Sequence, residues 1–368
     1  MVSRAIRVVS VSLVMLVGLV GLTTGCSSAR HSPSTGQGAS DGQDNSPEQP
    51  KQGLPSTCTH TITRGGDAPT ALEAASPGDT LCFSGGDLTD TSLSMIRSGT
   101  AAAPIRLVSD GGTVHEVQIK GDHVIVEGFT VAGGGGILLE GAGITARNNT
   151  VHDTQQGGIT CHPCTDSTIE SNTMRHAATN GIDITGQRIT VHANTISDTV
   201  PVQGGDADGV RFYGNGHRIT DNTIFDISAE GYSSPPHPDC FQTFDQHRPP
   251  TFDVIISGNT CRNVDAQCLI ATGDQGSNRG APADVPSITF EGNKCANNGA
   301  QAVNLRRWAR VQVLNNTFSG PNLTRAVLII DGSTDAAVVG NDTSQGRPTV
   351  DIDRSSRPGS RVEGNSPA

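Results

Sequence analysis

A short alternation of apolar and polar residues that ends at an asparagine recurs along most of this chain. A typical copy is Ile-Thr-Ala-Arg-Asn-Asn-Thr-Val at residues 144–151. The equivalent asparagines are Asn149, Asn172, Asn194, Asn222, Asn259, Asn293, Asn316, Asn341 and Asn365. Their spacings are 23, 22, 28, 37, 34, 23, 25 and 24 residues, so one structural unit takes about 23 residues and some units carry insertions.

A second recurring segment lies between these copies and begins with a small residue, as in Gly181-Ile-Asp-Ile and Gly209-Val-Arg-Phe. The period of two predicts short strands, and the intervening Gly and Asn predict turns. One such coil cannot bury its apolar face alone, whereas coils stacked about 4.8 Å apart pair every strand and enclose an apolar interior. The pattern predicts an all-β parallel solenoid with the repeated asparagines in a hydrogen-bonded ladder at one bend.

The repeats between residues 57 and 368 resemble the pectate-lyase-like superfamily of right-handed β-helix proteins. Residues 71–83 look like the short capping helix and first strand of many such domains. Residues 103–108 and 124–131 look like early coils, with Phe129 where later coils have asparagine. The resemblance implies a single-stranded right-handed parallel β-helix with a short N-terminal capping helix, and a fold of this kind does not define a reaction.

Residues 1–25 have the pattern of a secretory signal peptide. Arg4 and Arg7 precede an apolar stretch over residues 8–22, which is too short to read as a bilayer-spanning helix. The pair Gly-Cys that ends at Cys26 resembles the lipobox of bacterial lipoproteins, which implies lipidation of Cys26. Thr23 stands where a lipobox has leucine, so cleavage that leaves a free thiol is the alternative.

Residues 26–56 are rich in Ser, Gly, Gln and Pro and contain almost no large apolar residue, which predicts a disordered tether. The net charge of −11 becomes −13 once Arg4 and Arg7 leave with the signal peptide. This charge argues against general attraction to nucleic acid. We expect a monomer on the extracellular face of the cell membrane, or a secreted protein, with a polysaccharide as its partner.

Eight cysteines remain beside Cys26, and an even number in an exported chain predicts disulfides. Aligned coils place two pairs of cysteines at equivalent positions in neighbouring coils, within disulfide reach. The predicted bonds are Cys240–Cys268 and Cys261–Cys295 between stacked coils, Cys58–Cys82 at the cap and Cys161–Cys164 in a tight loop. A zinc site at Cys161 and Cys164 is the alternative, but no second ligand pair has matching spacing.

The aligned coils also place polar residues in columns that we expect to face outward. The first column is Asn180, Asp208, Asp239, Gln267 and Gln301. The second column, three residues later, is Asp183, Arg211, Gln242 and Asn304. Two residues before the first column, Asp206 stacks on His237. Charged residues of both signs are therefore predicted to meet on two adjacent coils.

Two carboxylates on adjacent coils, roughly 5 Å apart, repel each other and raise one pKa unless a cation compensates. Such a pair suits acid–base chemistry on a glycosidic bond or a sugar-ring proton. Insertions at 228–238 and 245–252 would stand as walls beside it. The candidate catalytic residues are Asp206, Asp208, His237 and Asp239. The candidate substrate-binding residues are Asp183, Arg211, Tyr213, Gln242 and Arg306.

Two enzyme classes remain open. The segments Asp-Ala-Asp-Gly at 206–209 and Pro-Asp-Cys at 238–240 resemble the Asn-Thr-Asp-Gly and Asp-Asp-Cys motifs of polygalacturonase-type hydrolases, which implies catalytic roles for Asp208 and Asp239. The match departs from that family at Pro238, which replaces one aspartate, and at residues 273–276, which lack the histidine of Gly-His-Gly.

A lyase or C5-epimerase is the second enzyme class. In this reading His237 or Tyr213 removes a sugar-ring proton and Arg211 or Arg306 meets the uronate carboxylate. A calcium ion (Ca2+) would be held by Asp206, Asp208 and Asp239. The alternative to any enzyme is a non-catalytic glycan-binding or structural protein of the cell envelope, in which the polar columns serve as side-chain ladders.

The single tryptophan, Trp308, is expected either to stack on a sugar or to cover a coil edge.

Overall fold

The computed structural model describes residues 53–202, 205–274 and 281–367. The predicted signal peptide, Cys26 and residues 26–52 of the predicted tether lie outside these ranges. Residues 53–59 precede the first strand and form neither helix nor strand. Within the described ranges, no helix is both long enough and apolar enough to cross a membrane.

Each full coil contains three short parallel strands, and strands at the same place in successive coils pair in register to form three ladders. The first ladder is a sheet of 13 strands: His60–Arg64, Thr80–Asp87, Ile105–Ser109, Val124–Glu127, Thr145–Arg147, Thr168–Glu170, Thr190–His192, Arg218–Thr220, Val254–Ser257, Ile288–Glu291, Val311–Leu314, Ala337–Val339 and Arg361–Glu363. The second ladder consists of Thr150–His152, Thr173–Arg175, Thr195–Ser197, Thr223–Ile227, Thr260–Val264, Lys294–Ala296, Thr317–Ser319 and Asp342–Thr343. The third ladder consists of Ser92–Met95, Thr113–Ile119, Thr130–Ala142, Ile159–Thr165, Asn180–Gln187, Asp208–Asn215, Phe241–Phe244, Leu269–Thr272, Gln301–Arg306, Arg325–Ile330 and Val350–Ile352. The predicted all-β parallel solenoid is confirmed.

A two-residue bend joins the first ladder to the second and carries the predicted asparagine ladder. The first residue of the bend has a left-handed backbone, with φ of 55° at Asn148 and 68° at Gly258, and the second is the repeated asparagine. The backbone N–H and the Nδ2 of each asparagine donate to Oδ1 of the asparagine in the next coil, at 2.8–3.0 Å. These bonds run through Asn149, Asn172, Asn194, Asn222, Asn259, Asn293, Asn316, Asn341 and Asn365. The stack supplies partners for polar groups that water cannot reach.

Apolar side chains fill the interior of the solenoid in stacked rows. In the third ladder, one such row runs through Ile182, Val210, Phe241, Leu269 and Val303, all of which are fully buried. Each coil buries these side chains only against the coils on either side of it. The stability of the interior therefore depends on the stack of coils rather than on any single coil.

The predicted capping helix closes the N-terminal end. A 3-10 turn at Gly65–Asp67 leads into the α-helix Ala68–Ala74, whose Leu72 is buried in the core. Pro69 lies in the first turn, where its missing N–H has no intrahelical partner to lose. The first strand is His60–Arg64, which precedes the helix and was not predicted. A second 3-10 turn, Ser344–Gly346, lies near the C-terminal end.

Two of the four predicted disulfides form, and the other two predictions are wrong. Cys58 bonds to Cys82 and Cys161 bonds to Cys164, with Cα–Cα distances of 5.7 and 5.5 Å. The bond between Cys161 and Cys164 excludes the zinc alternative, because neither sulfur is free as a thiolate ligand. The remaining bonds are Cys240–Cys261 and Cys268–Cys295, instead of the predicted Cys240–Cys268 and Cys261–Cys295.

The direction of the side chains explains the wrong pairing. Cys261 and Cys295 are in register as predicted, but stacked residues on parallel strands point the same way into the interior. Residues of the second and third ladders instead face each other across one corner of the coil. One coil earlier, a Cβ added at Gly209 would lie 2.7 Å from Cγ2 of Ile224, which is the residue in register with Cys261. Cys240, which follows Gly209 in the stack, therefore meets Cys261, which lies 21 residues further along the chain.

Candidate active site

The register predicted for the charged segments is present. Val210 pairs with Phe241 and Arg211 with Gln242, so Asp208 and Asp239 hold equivalent positions on consecutive coils. Asn180 pairs with Asp208 on the preceding side. The third ladder thus brings the loop before Asp208 and the loop before Asp239 side by side.

The columns predicted that Asp208 and Asp239 face solvent. This prediction is wrong, because both side chains are fully buried. Oδ1 of Asp208 accepts the backbone N–H of Asp239 at 2.9 Å, and Oδ1 of Asp239 accepts that of Gln267 at 2.8 Å. The chain stacks so closely here that one oxygen of each carboxylate bonds to the backbone of the next coil. These two carboxylates therefore continue a polar ladder at a second corner of the solenoid.

The second oxygen of each buried carboxylate holds a cationic side chain at the surface. Oδ2 of Asp208 accepts a hydrogen bond from Nε of Arg211 at 2.6 Å, and Oδ2 of Asp239 lies 3.0 Å from Nδ1 of His237. The side chain of Arg211 is 17% exposed and that of His237 is 52% exposed. Arg211 and His237 thus reach the surface, and each is held in place by a buried carboxylate.

Asp206 and Gln242 connect the two anchored groups into one network. Oδ1 of Asp206 accepts the backbone N–H of His237 at 3.1 Å, and its Oδ2 accepts weaker bonds from Arg211 and Gln242, both at 3.4 Å. Gln242 also donates to Oδ2 of Asp239 at 3.3 Å. The network fixes the positions of Arg211 and His237 relative to each other.

Burial and charge together set the protonation of this network. Burial raises the pKa of Asp208 and of Asp239, and the cations Arg211 and His237 oppose that rise. The hydrogen bond that Nδ1 of His237 donates to Asp239 raises the pKa of His237 to about 9. His237 is therefore protonated at neutral pH, which makes it a proton donor rather than the proton acceptor considered from the sequence.

Asp183, on the preceding coil, and Tyr213, on the same strand as Arg211, flank the network. Asp183 pairs with Arg211 in the ladder, and burial raises the pKa of its carboxyl group. Tyr213 is fully buried, with the Arg248 guanidinium 4.3 Å from its ring centroid and Phe244 packed edge-on at 5.0 Å. Burial also raises the pKa of Tyr213, so its hydroxyl stays protonated. The prediction that Tyr213 removes a proton is not supported, because the residue lies beneath Arg248 and is neutral.

Arg306 and Trp308 are not part of the cluster. Gln242 is followed in the ladder by Ile270 and only then by Asn304, so an apolar residue interrupts the predicted second column. Arg306 lies on the same coil as Asn304 and forms an ion pair with Asp331 at 2.7 Å. Trp308 is fully buried and cannot stack on a sugar.

The carboxylates proposed to hold Ca2+ do not fit a calcium site. In Asp206, Asp208 and Asp239 both oxygens accept hydrogen bonds or face a cation, and the Arg211 guanidinium contacts two of the three groups. A calcium ion requires free oxygen ligands. Across the described part of the chain, no group of three or more His, Cys, Asp or Glu is arranged to hold a metal ion.

Sequence reasoning missed the part that Arg248 plays. The insertion at 245–252 was predicted to be a wall, but nothing in it indicated that Arg248 lies over Tyr213 and Phe244. The signal that could have found it is the pair of aromatic residues at equivalent positions on consecutive coils, Tyr213 and Phe244, since arginine commonly packs on aromatic faces.

Several solved structures share this fold at low sequence identity. An alginate lyase from Paenibacillus sp. str. FPU-7 aligns with a TM-score of 0.56 and 16% identity, over 80% of this chain and 99% of that one. The catalytic unit of a GH87 α-1,3-glucanase from Streptomyces thermodiastaticus strain HF3-3 aligns with a TM-score of 0.57 and 12% identity, over 85% and 69%. The tailspike protein of E. coli bacteriophage HK620, solved with a pentasaccharide, aligns with a TM-score of 0.53 and 12% identity, over 78% and 60%.

At these identities the structural similarity establishes the fold alone. No curated protein matches the sequence. The family model described as a right-handed β-helix region matches residues 108–234 and 135–343, which together span more than half of the chain. The chain therefore belongs to the right-handed β-helix family.

Proposed function

We propose that this protein modifies an acidic polysaccharide by removing a proton from a uronate ring, as a lyase or a C5-epimerase does. The observation that carries the proposal is the pair of basic groups, Arg211 and His237, each held at the surface by a buried carboxylate. Among the described residues, Nη1 of Arg211 and Nε2 of His237 have no hydrogen-bond partner. Both atoms are therefore available to a ligand.

The local charge at Arg211 and His237, rather than the net charge of the chain, supports an anionic substrate. The chain as a whole carries a net charge of −11, so a polyanion is not attracted by its general surface. A local pair of cations can still recognise a carboxylate, because arginine and protonated histidine make charge-assisted hydrogen bonds with it. Binding there would neutralise the uronate carboxylate and make the adjacent ring proton more acidic.

The geometry favours proton abstraction over glycoside hydrolysis. A hydrolase needs one carboxyl group that reaches the glycosidic oxygen and another that reaches a water molecule or the sugar carbon. Asp208 and Asp239, the residues that resemble hydrolase carboxylates, are fully buried, and both oxygens of each are engaged. His237 and Arg211 reach the surface and suit protonation of a leaving oxygen and neutralisation of a carboxylate, whereas both oxygens of the partly exposed Asp206 are already hydrogen-bonded.

The structural neighbours support a polysaccharide as the substrate class. Their names describe an alginate lyase, an α-1,3-glucanase and a tailspike bound to a pentasaccharide. The alginate lyase is aligned over nearly its whole length. A solenoid side with anchored basic groups is consistent with a glycan-binding groove of this type.

The first test is to incubate the protein with polygalacturonate, alginate and hyaluronan and to follow the ultraviolet absorbance of unsaturated uronate. A lyase produces this absorbance as it cleaves, whereas a hydrolase releases reducing ends without it. An epimerase changes the ratio of the two C5 isomers, which proton NMR detects. If none of the three polymers is changed, or if reducing ends appear without unsaturated product, the proposal is wrong.

A non-catalytic glycan-binding or structural role is the second candidate. The observation that favours it is that Asp208 and Asp239 bond to the backbone of the next coil, as purely structural ladder residues do. Replacing His237 by glutamine separates the two candidates. If the protein only binds glycan, H237Q changes affinity modestly and no turnover exists to lose, whereas an enzyme loses about 100-fold or more of its rate.

We also propose that the protein is a lipoprotein on the outer face of the cell membrane. The motif at Cys26 supports this proposal, and two or more acyl chains suffice for stable anchoring. The chain should partition with membranes and incorporate labelled fatty acid, and Cys26→Ser should abolish both. Release of the wild-type protein into the medium without label would contradict the anchor.

A further inference from the structure

The proposed reaction has an acid but no base among the residues of the network. Asp208, Asp239 and Asp206 use both of their oxygens in hydrogen bonds or ion pairs. His237 carries its proton at neutral pH, and Tyr213 is buried and neutral. A group that accepts the ring proton must therefore lie beside the network rather than in it.

Asp183 is the carboxyl group of this face that lacks a partner. Oδ1 of Asp183 is buried without a hydrogen bond, and no hydrogen bond or ion pair reaches its other oxygen within the described residues. The residue as a whole is only half-buried, so its carboxyl group remains within reach of a ligand. A carboxylate with no donors is a better proton acceptor than one stabilised by hydrogen bonds.

The position of Asp183 fits a base opposite His237. Asp183, Arg211 and Gln242 follow one another in register on three consecutive coils, and His237 is tied to the third coil through Asp239. With a coil spacing of about 4.8 Å, Asp183 and the His237 coil lie roughly 10 Å apart along the solenoid axis. Arg211 lies between them, where it can hold the carboxylate of the sugar that reacts.

The surroundings of Asp183 favour a carboxyl group that titrates closer to neutrality than usual. Burial raises its pKa, and the charged groups that face it are Arg211, Arg248 and His162, which oppose the rise. Thr185 on the same strand and Tyr213 on the next coil also have buried oxygens without partners. A sugar ring in this place would supply hydroxyl groups to those atoms.

We infer that Asp183 accepts the C5 proton of the uronate whose carboxylate is bound by Arg211, an inference that rests on the proposed function. Asp183 takes the proton, and the C5–H electron pair forms the C4–C5 double bond. The C4–O bond breaks, and the leaving oxygen takes a proton from the His237 imidazolium. Asp183 then returns its proton to solvent, and His237 regains one from solvent.

The test compares Asp183→Asn with Asp351→Asn. Asp351 lies in the same column of the third ladder, further along the solenoid, and is exposed and ion-paired with Arg325 at 3.3 Å. On the polymer that the wild-type protein converts, D183N should lower formation of unsaturated product by about 100-fold or more, while D351N should leave it unchanged. If D183N stays within a few-fold of wild type, the inference is wrong.

Chemical rescue separates loss of the base from loss of the fold. Asp183→Ala removes the carboxyl group, and added formate should restore part of the rate because it can occupy the vacated space as a small carboxylate base. Formate should not rescue H237Q, which lacks the acid. Failure of formate to restore D183A, when its thermal melting matches wild type, overturns the assignment of Asp183. A wild-type protein that neither forms unsaturated product from polygalacturonate, alginate or hyaluronan nor changes the ratio of their C5 isomers overturns the proposed function itself.

Discussion

Replacing Asp239 by asparagine should uncouple His237 while leaving the solenoid intact. Asparagine keeps an Oδ1 that can accept the backbone N–H of Gln267, now at 2.8 Å, and asparagine is the residue that the stack uses at its other polar corner. The variant loses the negative charge 3.0 Å from Nδ1 of His237. We expect the pKa of His237 to fall from about 9 toward its usual value of 6.5.

The size of the effect follows from that difference. At about 1.4 kcal/mol for each pH unit, the rise from 6.5 to about 9 corresponds to roughly 3 kcal/mol for a fully buried pair. Because 52% of the His237 side chain is exposed, solvent screening reduces the contribution to about 1–2 kcal/mol. The pKa is raised in the folded state, so this stabilisation is complete below pH 6.5 and is lost as the pH rises through about 9.

Proton NMR titration of the His237 ring, assigned with H237Q, measures the change directly. Asp198→Asn is the matched control, since it removes an aspartate from another histidine, His176, at the same distance of 3.0 Å. D198N should leave the His237 titration where it is in wild type. A pKa for His237 that is the same in D239N and wild type would refute the conclusion that the buried Asp239 carboxylate raises the pKa of His237.

Three further predictions concern the scaffold. Asn259→Ala removes an acceptor of two ladder bonds and a donor to Ile219 O, and should lower the free energy of unfolding in urea by roughly 2–4 kcal/mol, whereas exposed Asn322→Ala should cost little. Burial raises the pKa of the Glu127 carboxyl group, but hydrogen bonds from Arg147 and Arg106 outweigh this effect and lower the pKa. The stabilisation of the folded state by these ion pairs is therefore present above about pH 4.5 and is lost as the pH falls. E127Q should therefore cost about 1–3 kcal/mol at pH 7 and flatten the acid limb of the stability curve. Peptide mapping under non-reducing conditions should recover the disulfide-linked peptides Cys240–Cys261 and Cys268–Cys295. It should recover no peptide that links Cys240 to Cys268.

The sequence was sufficient for those features that depend on local periodicity. The spacing of the asparagines defines the coil, and the coil defines which residues stack, so the ladder from Asn149 onward and the pairing of Arg211 with Gln242 were predictable. Both follow from a short repeat and a bend of constant length. Insertions lengthen a coil without changing the strands that pair.

What could not be predicted depends on the cross-section of the coil. Asp208 faces the backbone of the next coil rather than solvent, and the residue types in its own segment do not reveal this. The partner of Cys240 depends on which residue faces it across a corner, and Gly209 opposite Ile224 was the available clue. The isolation of Asp183 is likewise a property of its neighbours rather than of its own segment.

The asparagine bend also determines where this chain tolerates editing. The first and second ladders are always joined by two residues, whereas the other two corners hold segments as long as those at 228–240 and 245–253. A peptide tag or a grafted loop placed at Gly231 would extend an existing excursion and leave the neighbouring coils in step. A single residue added beside Asn222 would move this asparagine and the strand after it out of register with the neighbouring coils. New binding surfaces can therefore be built at two corners of this scaffold and not at the asparagine bend.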